Sequence, residues 1–180
     1  YRIIFALTGD LCAGNFGPYA DKGDNDVGLL QDFATGVAGT AQPRAVWFQG
    51  SGFVEGQVTG GAAAHPGFTT SYFGAGLVSG DYRNFTGNTT DIVDLIPNPP
   101  TVTNGNLYGV NNNCRTQNDV LTLSGTFGAA MAAKYPDTGT GANPKIASIY
   151  APSSLPALDH PAITLVNGWR IGSMGSWQTL

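Results

Sequence analysis

The chain has 180 residues, of which 42% are hydrophobic and only 11% charged, and its formal net charge is -4. That length and apolar content suffice for one folded domain with a sizeable core, while five scattered arginines and three lysines make no basic patch for nucleic acid or an anionic membrane surface. One glutamate (Glu55), two histidines (His65 and His160) and two cysteines (Cys12 and Cys114) leave little for acid–base, nucleophilic or metal chemistry.

Gly, Thr, Asn, Ser and Ala take the place of Lys and Glu, a composition common among secreted and cell-surface bacterial proteins. No apolar run approaches the roughly 18 residues of a membrane span. The sequence opens directly on an apolar run and closes at Trp177-Gln178-Thr179-Leu180, which reads as a processed piece of a longer secreted chain.

In chain order, Tyr1–Leu7 reads as a continuous apolar strand buried on both faces, the kind found in parallel sheets. A polar loop follows. Asp24 to Asp26 then cap a helix with apolar positions Val27, Leu30, Phe33, Ala34 and Val37, and Leu29 broadens that stripe. Gly36 and Gly39 end the helix. Ala45–Phe48 is a second buried strand, breaking at Gly50-Ser51-Gly52. Strand, helix and strand at this spacing form a βαβ unit with parallel, neighbouring strands.

Phe53–Val58 starts a second helix, Phe68–Phe73 is a helical turn, and Gly76–Ser79 is a short strand or edge. Asn88–Ile96 has helical spacing at Ile92, Leu95 and Ile96, ended by Pro97–Pro100. Thr101–Asn118 reads as a long Asn/Gly-rich loop and Val120–Leu123 as a strand. Ala129–Tyr135 fits either helix or strand. Ile146–Tyr150 and Ala162–Trp169 are strands, separated by a loop with three prolines. The whole predicts a single domain over 1–180, a three-layer α/β fold with a mainly parallel sheet and helices on both faces. A site belongs at the carboxyl ends of the first two strands, near Asp10, Ser51 and Glu55.

Each chemical constellation has a plainer reading beside it. Asp21, Asp24 and Asp26 offer calcium-type oxygens, but the EF-hand spacing is absent and a capped, solvated turn explains them; no other cofactor is indicated. Gly50-Ser51-Gly52 has the position of a nucleophile elbow without the G-x-S-x-G pattern, and a tight turn that needs glycine's freedom is the better explanation. Gly9-Asp10-Leu11 and Gly23-Asp24-Asn25-Asp26 contain strings of SGNH esterases, yet Leu11 stands where the nucleophilic serine belongs.

Cys12 and Cys114 lie in loop sequence far apart, unlike a zinc motif. Paired in an oxidising compartment, they would close a loop worth roughly 4–5 kcal/mol in the chain-entropy model. Asn84-Phe85-Thr86 and Asn88-Thr89-Thr90 are N-glycosylation sequons, read here as chance. Trp47 and Trp169 are expected in the core. Trp177, Tyr72, Tyr82 and Tyr108 are candidates for sugar stacking.

The segments Ile3–Leu11, Asp21–Asp26 and Leu29–Phe33, with the turn Gln49-Gly50-Ser51-Gly52, resemble modules of large secreted bacterial surface proteins. Phe73–Val78 and Ile163–Trp169 suit the same plan. Such modules look like degenerate relatives of the class I glutamine amidotransferase or ThuA-like α/β fold. That family carries a cysteine at the elbow and a distal His-Glu pair. Here the elbow holds Ser51 and no His-x-Glu occurs. The resemblance therefore implies a non-catalytic structural or adhesive module that assembles with itself or with other parts of a surface protein. A secreted hydrolase using Ser51 or Asp10, and a carbohydrate-binding module, are the alternatives.

Overall fold

The computed structural model describes residues 2–9, 26–36, 44–60, 65–82, 92–97, 108–111, 118–124, 128–135, 145–151 and 163–168. Within them the chain runs β1 (Ile3–Gly9), α1 (Asp26–Thr35), β2 (Ala45–Gly50), α2 (Phe53–Thr59), α3 (Pro66–Phe73), β3 (Ala75–Ser79), β4 (Ile92–Pro97), β5 (Tyr108–Asn111), β6 (Val120–Leu123), β7 (Ala130–Lys134), β8 (Ile146–Ala151) and β9 (Ile163–Asn167).

The helices follow local chemistry. Val27, Leu30 and Ala34 are the buried face of α1. Gly36 ends it at φ 80°, and the Arg44 guanidinium donates to the Phe33 carbonyl at 2.9 Å, so a cation meets the negative helix end. Pro66 opens the first turn of α3, where its missing N–H is harmless. Gly74 ends α3 at φ 64°.

One sheet carries the strands in the order β1-β2-β9-β8-β7-β4-β5, with β3 joined through β6 to β8. Among the described strands only β1–β2 and β2–β9 are parallel. The pairs β3–β6, β4–β5, β4–β7, β6–β8, β7–β8 and β8–β9 are antiparallel. This overturns the mainly parallel three-layer expectation: the sheet is mixed and mostly antiparallel. The physical reason is in the connections. A parallel neighbour needs a crossover of a dozen or more residues, usually a helix. The sequence between β8 and β9 holds Pro152, Pro156 and Pro161, residues that disfavour the interior of a crossover helix.

Two further expectations fall with it. Ile92–Pro97, read as the end of a helix, is β4, and Tyr108–Asn111, read as loop, is its antiparallel partner β5. Phe53–Thr59 and Pro66–Phe73 are helices and Ala130–Lys134 is a strand. The parallel, adjacent pairing of β1 and β2 agrees with the βαβ reading.

All three helices share a single core with one face of the sheet. Val27, Leu30, Phe53, Val54, Phe68 and Phe73 meet Val46, Phe48, Ile149 and Val166, with Ile4 and Ala6 packed alongside. Phe48 is its centre, stacked on Phe53 at 4.3 Å and edge-on to Phe73 at 5.3 Å. The opposite face of β1, β2 and β9 is covered by none of these helices. Trp47, expected in the core, lies there and is exposed, as are Ile3, Phe5 and Leu7 of a strand expected to be buried on both faces. Leu29, expected to broaden the apolar stripe of α1, is also exposed.

Candidate functional site

β2 ends in Gln49-Gly50, and Ser51-Gly52 turns the chain into α2. Gly52 takes φ 80°, a left-handed conformation that costs glycine nothing, but it has no side chain with which to cap the helix. The uncapped N–H groups of α2 would be buried without partners. Asp119, just before β6, supplies them from 65 residues away. Its Oδ2 accepts from Val54 N at 2.9 Å and Glu55 N at 3.3 Å, and its Oδ1 accepts from Gly52 N at 3.2 Å.

The Asp119 backbone is held as firmly. Its N–H donates to the Gly168 carbonyl at 2.7 Å, Gly168 N donates to Ala147 O at 2.9 Å, and the Tyr135 hydroxyl donates to Asp119 O at 3.2 Å. Gly168 is needed for close approach, because a Cβ there would lie 2.6 Å from the Asp119 carbonyl oxygen. Tyr135 in turn stacks on Tyr82 at 4.1 Å. This is the point where β9 ends and β6 begins on the same side of β8.

Asp119 is wholly buried, and burial pushes its carboxyl from 3.8 up to about 8. The Glu55 charge adds to the rise. The N–H donors of Glu55, Val54 and Gly52 oppose it. Burial, then the Asp119 and Tyr82 charges, push the Tyr135 hydroxyl up as well, so it remains a donor. A fully buried carboxyl whose oxygens are turned to a helix end is placed to cap that helix.

The sequence-predicted site residues are only partly brought together. Ser51 and Glu55 flank the elbow, with Ser51 buried at 2% exposure and Glu55 half-buried. A Cβ on Gly80 would overlap the Glu55 carboxyl, so that side chain lies against the end of β3. Asp10, the proposed companion of Ser51, lies outside the described residues, as do Asp21, Asp24, Cys12, Cys114, His160, Trp169, Trp177 and both sequon asparagines. Asp26 is the exposed first residue of α1. Among the described residues no group of three His, Cys, Asp or Glu side chains is placed to hold a metal. His65 precedes α3, and its Nε2 is buried without a hydrogen-bond partner among the described residues.

Asp119 was not singled out from the sequence. The only signal for it is indirect: a helix opening on Gly-Ser-Gly lacks a local cap and so requires a distant acceptor.

The outer face of β1, β2 and β9 is the second candidate. Ile3, Phe5 and Leu7 are 69%, 46% and 61% exposed, and Trp47 and Ile163 are 39% and 41% exposed. They form rows across the strands, Ile3 beside Ala45 beside Ile163 and Phe5 beside Trp47 beside Leu165. Phe5 meets Trp47 edge-on at 4.8 Å. None of these residues is charged; Leu165 is buried at 6% exposure and Gln49, beside Leu7, is buried too, so the exposed apolar patch consists of Ile3, Phe5 and Leu7 of β1 with Trp47 and Ile163. No helix among the described residues is long and apolar enough to cross a membrane. No protein-family model, curated protein or solved structure matches this chain.

Proposed function

We propose that this chain is a non-catalytic structural or adhesive module of a secreted or cell-surface protein, assembling through the outer face of β1, β2 and β9 with copies of itself or with neighbouring parts of the same protein. The observation that carries the reading is that face: five large apolar side chains exposed together at a sheet edge. On the order of 500 Å² of contiguous apolar surface is near the upper limit for the largest patch on an ordinary monomer, and larger patches of this kind mark interaction sites. The low charge of the whole chain supports the same reading, since few ions need desolvating when such surfaces meet.

The hydrolase alternative draws less support, because Ser51 is buried and the carboxyl nearest its turn is occupied in capping α2. Sugar stacking draws little either. Tyr82 is buried, and Phe5 stands at 89° to Trp47 where a platform needs coplanar rings.

The test is light scattering of the purified chain across a concentration series, with electron microscopy of the same sample and pull-down on cell-envelope material. Particles larger than a monomer, or envelope binding, are expected. A monomer at the highest attainable concentration that also leaves envelope material untouched would sink the reading.

A further inference from the structure

Resting on that assembly reading, we infer that β1 is a pairing edge for a second copy of the chain, antiparallel, about a two-fold axis beside Phe5. The direction of the backbone groups carries this. Ala45 N donates to the Arg2 carbonyl at 2.9 Å, so the N–H and C=O groups of Arg2 point toward β2. Backbone direction alternates along a strand. Ile4 and Ala6 therefore also face β2, while the N–H and C=O groups of Ile3, Phe5 and Leu7 face away. β2 is the sole neighbour of β1 among the described residues. Those outward groups are the template a further strand would use.

The strand is complementary to itself in one register. With Phe5 opposite Phe5 of the second copy, Ile3 faces Leu7, and Leu7 faces Ile3. All three pairs have their backbone groups turned to each other, giving about six N–H···O=C bonds. Side-chain parity is kept, so apolar residues of the outer face meet apolar residues of the outer face, and Ile4 meets Ala6 on the core side. Arg2 lies opposite Thr8. A parallel, in-register pair would instead set Arg2 against Arg2, a like-charge contact that destabilises.

Edge strands that avoid pairing carry lysine, proline or inward charges. Ile3–Gly9 has none of these, and its ladder with β2 is regular up to the shift between Leu7 and Gly9. Edge pairing sets the two apolar faces side by side in one sheet and buries less than the roughly 800 Å² per partner of a standard stable interface, so the dimer should be concentration-dependent rather than obligate.

The experiment combines size with cross-linking. Phe5→Lys should convert the associating chain to monomer without lowering its melting temperature much, because Phe5 is half-exposed. Leu29→Lys, on the far side of the molecule, should leave association unchanged. In a Cys12→Ser/Cys114→Ser background, Ile3→Cys protein mixed with Leu7→Cys protein should form a disulfide-linked heterodimer, since a hydrogen-bonded antiparallel pair holds Cα atoms about 5.5 Å apart, within disulfide range. Each variant alone should cross-link far less. Homodimers from Ile3→Cys alone would overturn the antiparallel register. An oligomer that survives Phe5→Lys would overturn the β1 edge and keep the assembly reading, whereas a wild-type chain that stays monomeric would remove both.

Discussion

Asp119 shows how one side chain can hold elements that the sequence keeps far apart. Its oxygens accept from two N–H groups of α2 and from that of Gly52 just before it, and its backbone ties the start of β6 to Gly168 at the end of β9. Its folded pKa of about 8 stands above the ordinary 3.8, so between those values the folded state holds more protons than the unfolded one. The sign follows from linkage. The group's contribution to stability is full below about pH 4, declines as pH rises, and is lost once pH passes about 8, with a slope of at most ~1.4 kcal/mol per pH unit. Denaturant unfolding at a series of pH values checks this. Wild type should lose stability between pH 5 and 9 and Asp119→Asn should not. Equal slopes for the two proteins would show that Asp119 is already ionised at pH 5, capping α2 as a carboxylate. The role was not legible in the sequence because a cap 65 residues away leaves no local spacing to find.

At the scale of elements, β1 illustrates the limit of reading a strand from apolarity. Ile3–Leu7 is apolar throughout, and a strand buried on both faces and a strand with a sticky outer face look alike in sequence. Packing separates them: Ile4 and Ala6 join the core while Ile3, Phe5 and Leu7 do not. The same alternation should be visible in amide exchange. In dilute monomer the amides of Ile4 and Ala6 should be protected by β2 and those of Ile3, Phe5 and Leu7 should exchange quickly. At high concentration the second set should slow. Protection of all five amides at every dilution would mean that the outer edge is already paired within one chain. Helix α1 was easier to read, because Val27, Leu30 and Ala34 repeat at helical spacing and Gly36 stops it. α2 was legible only as a helix after a glycine turn. β4 was mistaken for a helix because a short apolar run fits both periods.

For the whole molecule, the helices and the inner face of the sheet share a single core, and Phe48 sits at its centre against Phe53, Phe68 and Phe73. Phe48→Ala should therefore cost about 3–5 kcal/mol, and helix and aromatic signals should melt together in one transition. Separate transitions for the two probes would mean that the helices do not depend on this core. The sequence by itself determined the composition class, the existence of most strands and helices, and the parallel β1–α1–β2 start. Each of those depends on residues close together in the chain, where spacing and breakers leave a direct trace. Only the tertiary structure decided that β9 lies parallel beside β2, that the other strand pairs are antiparallel, where the distant cap on α2 comes from, and which face of the first sheet edge stays open. These depend on which segments meet across long separations, and an apolar run does not name its partner.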